Sequence, residues 1–536
     1  MGRVLPQASG LETRARSLTS AGRFRRRPCY HRSPMANSPG VGDRGIRVRM
    51  APSPTGPLHI GTARTSLYNY LFARHVGGTY VLRIEDTDAA RGSDEHERDI
   101  IDNLHWLGIT WDEGPQVAGG EDIGPFGPYH QSQRSSLYAA EAERLLASAQ
   151  AFRCYCTPEE LDAVRREQEE RKEPPRYSGR CRNLTDAERD AFETEGRRAA
   201  IRFRVPGEVV TFDDLIRGRV EIAAEALGGD RVIVRSDGSP LYHFVVVVDD
   251  AAMRITHVIR GEDHLSNTPL HVLLFRALGH DVPVFAHIPL ILNPDRTKMS
   301  KRRSQTAIRA YREQGYLPEA MVNFLAFLGW SPGTEEEIFA LKTLAERFEI
   351  EHVHKAGAVF DKDRLDYLNG VYIRSLTDEQ LAVRLRSFVP EALDDRGLLA
   401  VIPLIKERMV RLADAGELVA FLVEADGEVA SRYGPDGLMS PKADAAATAM
   451  ALTRARTELE ATAAEDFAAG ELEARCRGAA EALGWKAGDF FKPMRVAITG
   501  RTVSPPLFGS MELLGRERCL ARIDAALAKL ATVVAA

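Results

Sequence analysis

Residues 46–85 constrain the fold most strongly. Ile46, Val48 and Met50 alternate with Arg47 and Arg49, which is a strand pattern. Pro52–Gly56 breaks the backbone. From Thr62 to His75, Leu67, Tyr70, Leu71 and Phe72 recur at helical spacing until Gly77-Gly78 stops the helix. Thr79–Glu85 is strand-like again. Strand, helix and strand in succession open a doubly wound nucleotide-binding fold. The connecting loop carries neither GxGxxG nor GxxxxGK[ST], which argues against a dehydrogenase or a P-loop ATPase. Phosphate binding must be built another way.

The loop itself suggests how. It runs MAPSPTGPLHIGTART (Met50–Thr65) and opens directly into the helix. A helix N-terminus offers unpaired backbone N–H groups and a partial positive charge, so it attracts phosphate. Gly56 and Gly61 let the backbone approach closely, and His59 can donate to a phosphate oxygen. Far downstream, KMSKR (Lys298–Arg302) holds two lysines three residues apart. Positioned ammonium groups stabilise the charge that builds when pyrophosphate is expelled, worth ~3–4 kcal/mol per donor in oxyanion sites. Neither motif says much alone, since a lone His-Gly pair is uninformative and a basic pentamer is normally a solvated loop.

In one chain, PSPTGPLHIGTART and KMSKR resemble the two signature motifs of the class I aminoacyl-tRNA synthetases. The surrounding residues narrow the resemblance to glutamyl-tRNA synthetases of the bacterial type, over about Arg47 to Ala528. It implies an α/β fold with a Rossmann-like catalytic domain, an inserted acceptor-binding domain, a stem-contact region and an all-helical anticodon-binding domain. Catalytic roles fall to His59, Gly61, Lys298 and Lys301, with Lys301 taking the larger part. ATP contacts extend to Thr62, Asp263, Met299, Ser300 and Arg302, and Mg²⁺ accompanies the ATP. The implied reaction joins L-glutamate to tRNA(Glu) through glutamyl-adenylate, releasing AMP and diphosphate. A non-discriminating form that also charges tRNA(Gln) would share every motif. A catalytically silent tRNA-binding paralogue would usually have lost both loops.

A glutamate substrate brings two carboxylates and one ammonium. Arginine is their best carboxylate partner, because its planar fork binds bidentately. The resemblance places Arg49 and Arg260 (in HVIRGEDH, His257–His264) beside the substrate, with Ala51 and Ser53 lining the pocket. Glu85, in RIEDTD (Arg83–Asp88), takes the ammonium, and Tyr242 adds a hydroxyl and a wall. Val246 falls where some relatives carry a polar residue, so that polar role does not carry over. Asp249 and Asp250 read as structural. No general base is required, because a carboxylate is already nucleophilic and positioning supplies most of the acceleration.

The remaining organisation follows from composition shifts and the resemblance together. Residues 1–44 form an Arg-rich extension, expected to be disordered. Up to Met35 it reads as translation from an upstream start, as a transit peptide for an organelle, or as a basic tail. The catalytic domain occupies 45–134 and 231–296, interrupted by an insertion at 135–230. The KMSKR loop and stem-contact region follow at 297–377, including Tyr316–Trp330 and Val359–Arg374. A helical anticodon-binding domain fills 378–536, where Arg495 and Arg501 are proposed RNA contacts. Leu241–Val248 reads as a buried strand and Gly427–Pro441 as a loop. Net charge is −5, so any RNA surface must be local. No apolar run approaches the ~18 residues of a membrane span. The resemblance implies a monomer in the cytoplasm, or in an organelle if residues 1–34 are a transit peptide. Six cysteines are too sparse for a disulfide scaffold. Three of them, Cys154, Cys156 and Cys181, stand with Tyr177 in a CxC…YxxxC set like that of a related paralogue, which implies a structural zinc. Asn183 stands where other relatives carry a ligating histidine.

Overall fold

The structure is a computed structural model that describes residues 45–87, 92–116, 120–299, 306–439 and 443–534. The N-terminal extension, Asp88, and Ser300, Lys301 and Arg302 of KMSKR lie outside the described residues. In chain order the strands of the two larger sheets are β1 (Arg47–Met50), β2 (Thr79–Leu82), β3 (Ala151–Cys154), β4 (Ala200–Phe203), β5 (Val209–Asp214), β6 (Gly218–Ala223), β7 (Arg231–Val234), β8 (His257–Gly261) and β9 (Val284–Ile288); Ile291–Leu292 and Ala358–Val359 pair as a small parallel sheet of their own.

Six of them form one sheet in the order β2-β1-β8-β9-β5-β6, parallel throughout except for the β5–β6 hairpin. Connections leave β1 toward one edge and β8 toward the other, so the carboxyl ends of β1 and β8 flank a topological switch point. In open α/β sheets that is where ligands bind. Helix α1 (Ile60–Val76) links β1 to β2 and ends on Gly77, whose φ of 66° is the left-handed conformation that glycine adopts without strain. The β1–β2 pairing runs on past Leu82, because Arg83 N–H donates to the Met50 carbonyl and Glu85 N–H to that of Pro52, both at 2.9 Å. Arg49 and Glu85 are thereby brought to the same end of the sheet.

Three expectations change. Leu241–Val248 is not a strand: Tyr242–Ala252 is an α-helix, buried from Phe244 through Asp250. An apolar run surrounded on all sides carries no period, so β-branched residues there do not distinguish strand from helix. The helix turns Asp249 and Asp250 into the interior together. Second, the insertion at 135–230 is not one body. Its β5–β6 hairpin extends the main sheet beyond β9, with Phe212 packed edge-on against Phe285 at 5.6 Å between centroids. Only β3, β4 and β7 form the separate antiparallel sheet. Third, Gly427–Pro441 holds two short helices, Asp426–Ser431 and Pro435–Leu438. Glu428 reaches back to the Ala425 N–H at 3.3 Å, and Pro435 starts the second helix where its missing N–H costs nothing.

Beyond Ser375 every described element is helical, up to Arg516–Val534. Its main core is apolar, built around Leu452, Leu472, Phe490, Met511 and Ile523. No described helix is long and apolar enough to cross a membrane.

Candidate active site

A cavity of about 570 Å³ opens at the switch point. One wall is the loop from β1 into α1, a second is the end of β8, and a third is the chain just before the undescribed part of KMSKR.

At the first wall, His59 is the N-cap of α1. Its Nδ1 accepts from the N–H groups of Gly61 (3.1 Å) and Thr62 (3.4 Å), and its Nε2 lies 3.0 Å from the Thr62 hydroxyl. Gly61 permits this fold-back, because a Cβ there would sit 3.0 Å from His59 Cε1. Ile60 N–H donates to Thr306 O and Ala63 N–H to His59 O. All four amides of the first turn are therefore paired, contrary to the expectation of open N–H groups. What faces the cavity is the imidazole edge and the positive end of the helix dipole, with no acid in the first turn to cancel it. With Nδ1 accepting, neutral His59 carries its proton on Nε2, beside the Thr62 hydroxyl.

The lysine segment is anchored on both sides of the gap. Met299 N–H donates to Ile291 O at 3.0 Å, and Ile308 N–H donates to Leu58 O at 2.8 Å. Lys298 and Met299 line the cavity, and Lys298 Nζ lies 3.7 Å from Asp263 Oδ2 across it. Both of these side chains are more than half or about half exposed, so this pair is weak and easily exchanged for phosphate.

The amino-acid end is dominated by buried charge. Arg49 Nε donates to both carboxylate oxygens of Asp250 at 3.2 Å, and Arg83 Nη1 donates to the same group at 2.8 Å. Burial alone would raise the Asp250 pKa, but these two guanidiniums hold it below the usual carboxylate range. Asp249 accepts from Arg134 (2.6 Å), Gln131 (2.8 Å) and Tyr138 (2.9 Å). Both aspartates thus hold structure, as the sequence suggested. Glu85 lines the cavity 3.4 Å from Arg83, and burial raises its pKa against the pull of Arg83 and Arg49.

Arg260 differs. It lies near the end of β8, only 5% exposed, and its four described hydrogen bonds all go to neutral acceptors. Burial, helped by the nearby Arg49 charge, pulls its pKa down to about 10 against the weaker upward pulls of Tyr242, Asp250 and Glu85.

Ala51, Ser53, Tyr242, Gly61, Thr62 and Asp263 all line the same cavity, as do Arg49, Glu85 and Arg260. Val246 does not. It lies one turn beyond Tyr242, 1% exposed in the apolar core, because a valine at that turn packs inward. The neutral groups around Arg260, above all His271 and His287, were missed. Their signal was weak: both fall in runs of apolar residues, where a histidine would usually be a core filler.

At the end of β3 in the small antiparallel sheet, Cys154 holds its sulfur within 4.8 Å of those of Cys156 and Cys181 from the following chain. The Cys156 and Cys181 sulfurs are 3.6 Å apart, close to the ~3.8 Å spacing that ~2.3 Å Zn–S bonds require in a tetrahedron. The Tyr177 hydroxyl completes the set, 3.4 Å from Cys154 Sγ and 3.9 Å from Cys156 Sγ. Asn183 faces away and accepts from Arg204 at 3.3 Å. Arg202 donates to Cys154 Sγ at 3.3 Å and stacks on the Tyr177 ring, which offsets the charge of a thiolate-rich site. The donor set fits zinc. In the helical half, Arg495 braces the Ser504–Pro505 turn and Arg501 pairs with Glu417, so both expected RNA contacts already have protein partners.

Residues 45–367 match the family model for the catalytic domain of class I tRNA synthetases (E and Q), and residues 380–527 match an anticodon-binding domain. A glutamate–tRNA ligase of Symbiobacterium thermophilum is 44% identical over 89% of this chain and 99% of its own length. One of Acidothermus cellulolyticus is 46% identical over 90% and 95%. The crystal structure of a glutamate tRNA ligase from Elizabethkingia meningosepticum, in complex with its amino acid, superposes with a TM-score of 0.79 at 35% identity, covering 91% of this chain and all of that one. The chain belongs to the class I tRNA synthetases of the E and Q type, within their glutamate–tRNA ligase group.

Proposed function

We propose that this chain attaches L-glutamate to tRNA(Glu). An oxygen of the glutamate α-carboxylate attacks the α-phosphate of ATP. The bond to the β-phosphate breaks, diphosphate leaves, and glutamyl-adenylate remains. The terminal ribose hydroxyl of the tRNA then attacks the activated carbonyl, and AMP leaves. One observation carries this reading: a single cavity joins the His59-capped helix and Lys298 to a pocket lined by Arg49, Arg260 and Glu85.

Within it, His59, Gly61, Thr62, Asp263, Lys298 and Met299 serve the nucleotide, together with Ser300, Lys301 and Arg302 of the same KMSKR motif and Mg²⁺ on the phosphates. Arg49, Arg260, Ala51, Ser53, Glu85 and Tyr242 serve glutamate. The small sheet of β3, β4 and β7 takes the acceptor end, residues 297–377 the stem, and the helical half the anticodon. Zinc held by Cys154, Cys156, Cys181 and Tyr177 would tie the end of β3 to the following knuckle; elemental analysis below ~0.1 equivalent rejects it. The protein is proposed to act as a cytoplasmic monomer.

Exchange of labelled pyrophosphate into ATP tests the reading. Glutamate-dependent exchange, enhanced by tRNA, is expected. No exchange in either condition, with tRNA still bound, would make the chain a silent tRNA-binding module. Charging purified tRNA(Glu) against tRNA(Gln) decides whether the enzyme discriminates between them.

A further inference from the structure

The charges around the amino-acid pocket divide unevenly. Arg49, Arg83 and Arg134 face Asp249, Asp250 and Glu85, three guanidiniums against three carboxylates, all linked by contacts of 3.7 Å or less. Arg260 stands outside this balanced set, and among the described residues no carboxylate lies within 4.0 Å of its nitrogens.

Its donors are nonetheless used. Nη1 lies 3.1 Å from His271 Nδ1, Nε lies 3.2 Å from His287 Nε2, and Nη2 donates to the Thr268 hydroxyl at 2.8 Å. A guanidinium is always protonated and has no acceptor. Both imidazole nitrogens that face it must therefore carry lone pairs. The tautomers of the whole chain follow. His287 holds its proton on Nδ1 and donates to Asp214 Oδ2 at 2.6 Å. Asp214 is in turn saturated by the N–H groups of Ile216, Arg217 and His287. His271 holds its proton on Nε2 and donates to His243 Nδ1 at 3.1 Å. Burial keeps these rings neutral, with His243 pulled down to about 4 and His271 well below its ordinary value.

We propose that His271 and His287 are positioning residues that aim the Arg260 guanidinium without neutralising it, so that the acidic carboxylate of the substrate supplies its missing counter-charge. A carboxylate partner would hold the arginine equally well but would cancel its charge. A neutral amide substrate would then lose nothing relative to glutamate. Two neutral acceptors give rigidity and leave the charge available. The inference rests on the glutamate-activating reading of the cavity and deepens it.

The test is steady-state pyrophosphate exchange with glutamate or glutamine, with tRNA present. His271→Leu removes the Nη1 acceptor and is expected to raise KM for glutamate roughly 10- to 100-fold, leaving KM for ATP within about twofold. His271→Asn carries an oxygen where Nδ1 sits, and should restore most of the glutamate KM. His271→Glu places a carboxylate against Arg260. It should cut the glutamate-to-glutamine ratio of kcat/KM by about tenfold or more, while a merely structural substitution would lower both alike. For His287 the matched rescue is His287→Gln, whose oxygen falls near Nε2. Thermal unfolding of each variant separates misfolding from misaiming, and the Asn and Gln variants keep the test valid where Leu or Glu fails to fold. A wild type inactive with glutamate would sink the functional reading itself. A wild type active with glutamate, beside folded Leu and Glu variants whose glutamate KM and amide discrimination stay within twofold, would sink this inference alone.

Discussion

The two halves of the molecule bury different things. Around the parallel sheet, Arg49, Arg83, Arg134, Arg260, Asp249, Asp250 and Glu85 are all 9% exposed or less. Beyond residue 378, Arg522 is the one charged side chain so buried among the described residues, and Asp426 at 2.7 Å and backbone carbonyls hold it. Buried ion pairs are poor investments in stability, since well-packed apolar groups of the same volume do as well or better. The sheet half therefore gains little net stability from its buried charges, which instead fix the positions of Arg49 and Glu85 at the cavity. The helical half is built as a core should be when its function lies on the outside.

The comparison breaks most readily at Asp250. Asp250→Ala strands Arg49 and Arg83 in the interior and is expected to cost about 3–5 kcal/mol, read by denaturant unfolding. Leu452→Ala, at a fully buried site of the helical core, should cost about 2–5 kcal/mol but leave the activity of the folded fraction intact. An Asp250→Ala cost no larger than that of a surface substitution would mean the network is not charged as described. Arg260→Leu should lower kcat/KM for glutamate activation by roughly 10²-fold or more, yet cost less stability than Asp250→Ala, because no buried carboxylate is stranded.

Acidification should separate the halves. None of the 14 histidines lies beyond His354. His257, 3% exposed at the start of β8, is pulled by burial to about 4. Between its unfolded value of ~6.5 and its folded value, the unfolded chain binds the extra proton, so stability falls as pH falls through that window, by on the order of 2–3 kcal/mol near pH 4. Asp250, with a lowered folded pKa, contributes fully above the unfolded carboxylate value and is lost only below it. Amide protection factors, taken relative to intrinsic exchange at each pH, should therefore fall at pH 5 in the sheet and not in residues 380–527; a uniform fall would refute the division. The smallest effect is expected at Asn183: Asn183→Ala should leave metal content unchanged and stability within ~0.5 kcal/mol, because Tyr177 and not Asn183 completes the cysteine set.

Much of this was legible in the chain. Period-two alternation before Pro52 and helical spacing after His59 located β1 and α1, because local periodicity reports directly on which face is buried. The cysteine–tyrosine set came from the resemblance to a paralogue's CxC…YxxxC pattern, and the structure brings those side chains together. The valine run at Val245–Val248 was misread because a segment buried on every side has no polar face to reveal its period. Its consequence, Asp249 and Asp250 turned together onto Arg49, Arg83 and Arg134, was out of reach with it. The β5–β6 hairpin was assigned to the wrong body, since nothing in its own residues says which sheet edge will accept it.

The amino-acid sequence by itself determined the strand, loop and helix around His59 and the residue types that line the cavity, because these are properties of short segments. Which arginine keeps its charge was decided only in three dimensions. Arg49 and Arg260 look alike in sequence, and what separates them is a carboxylate some 200 positions away on one side and two neutral imidazoles on the other. Charge compensation depends on distance and burial, and neither exists until distant segments pack.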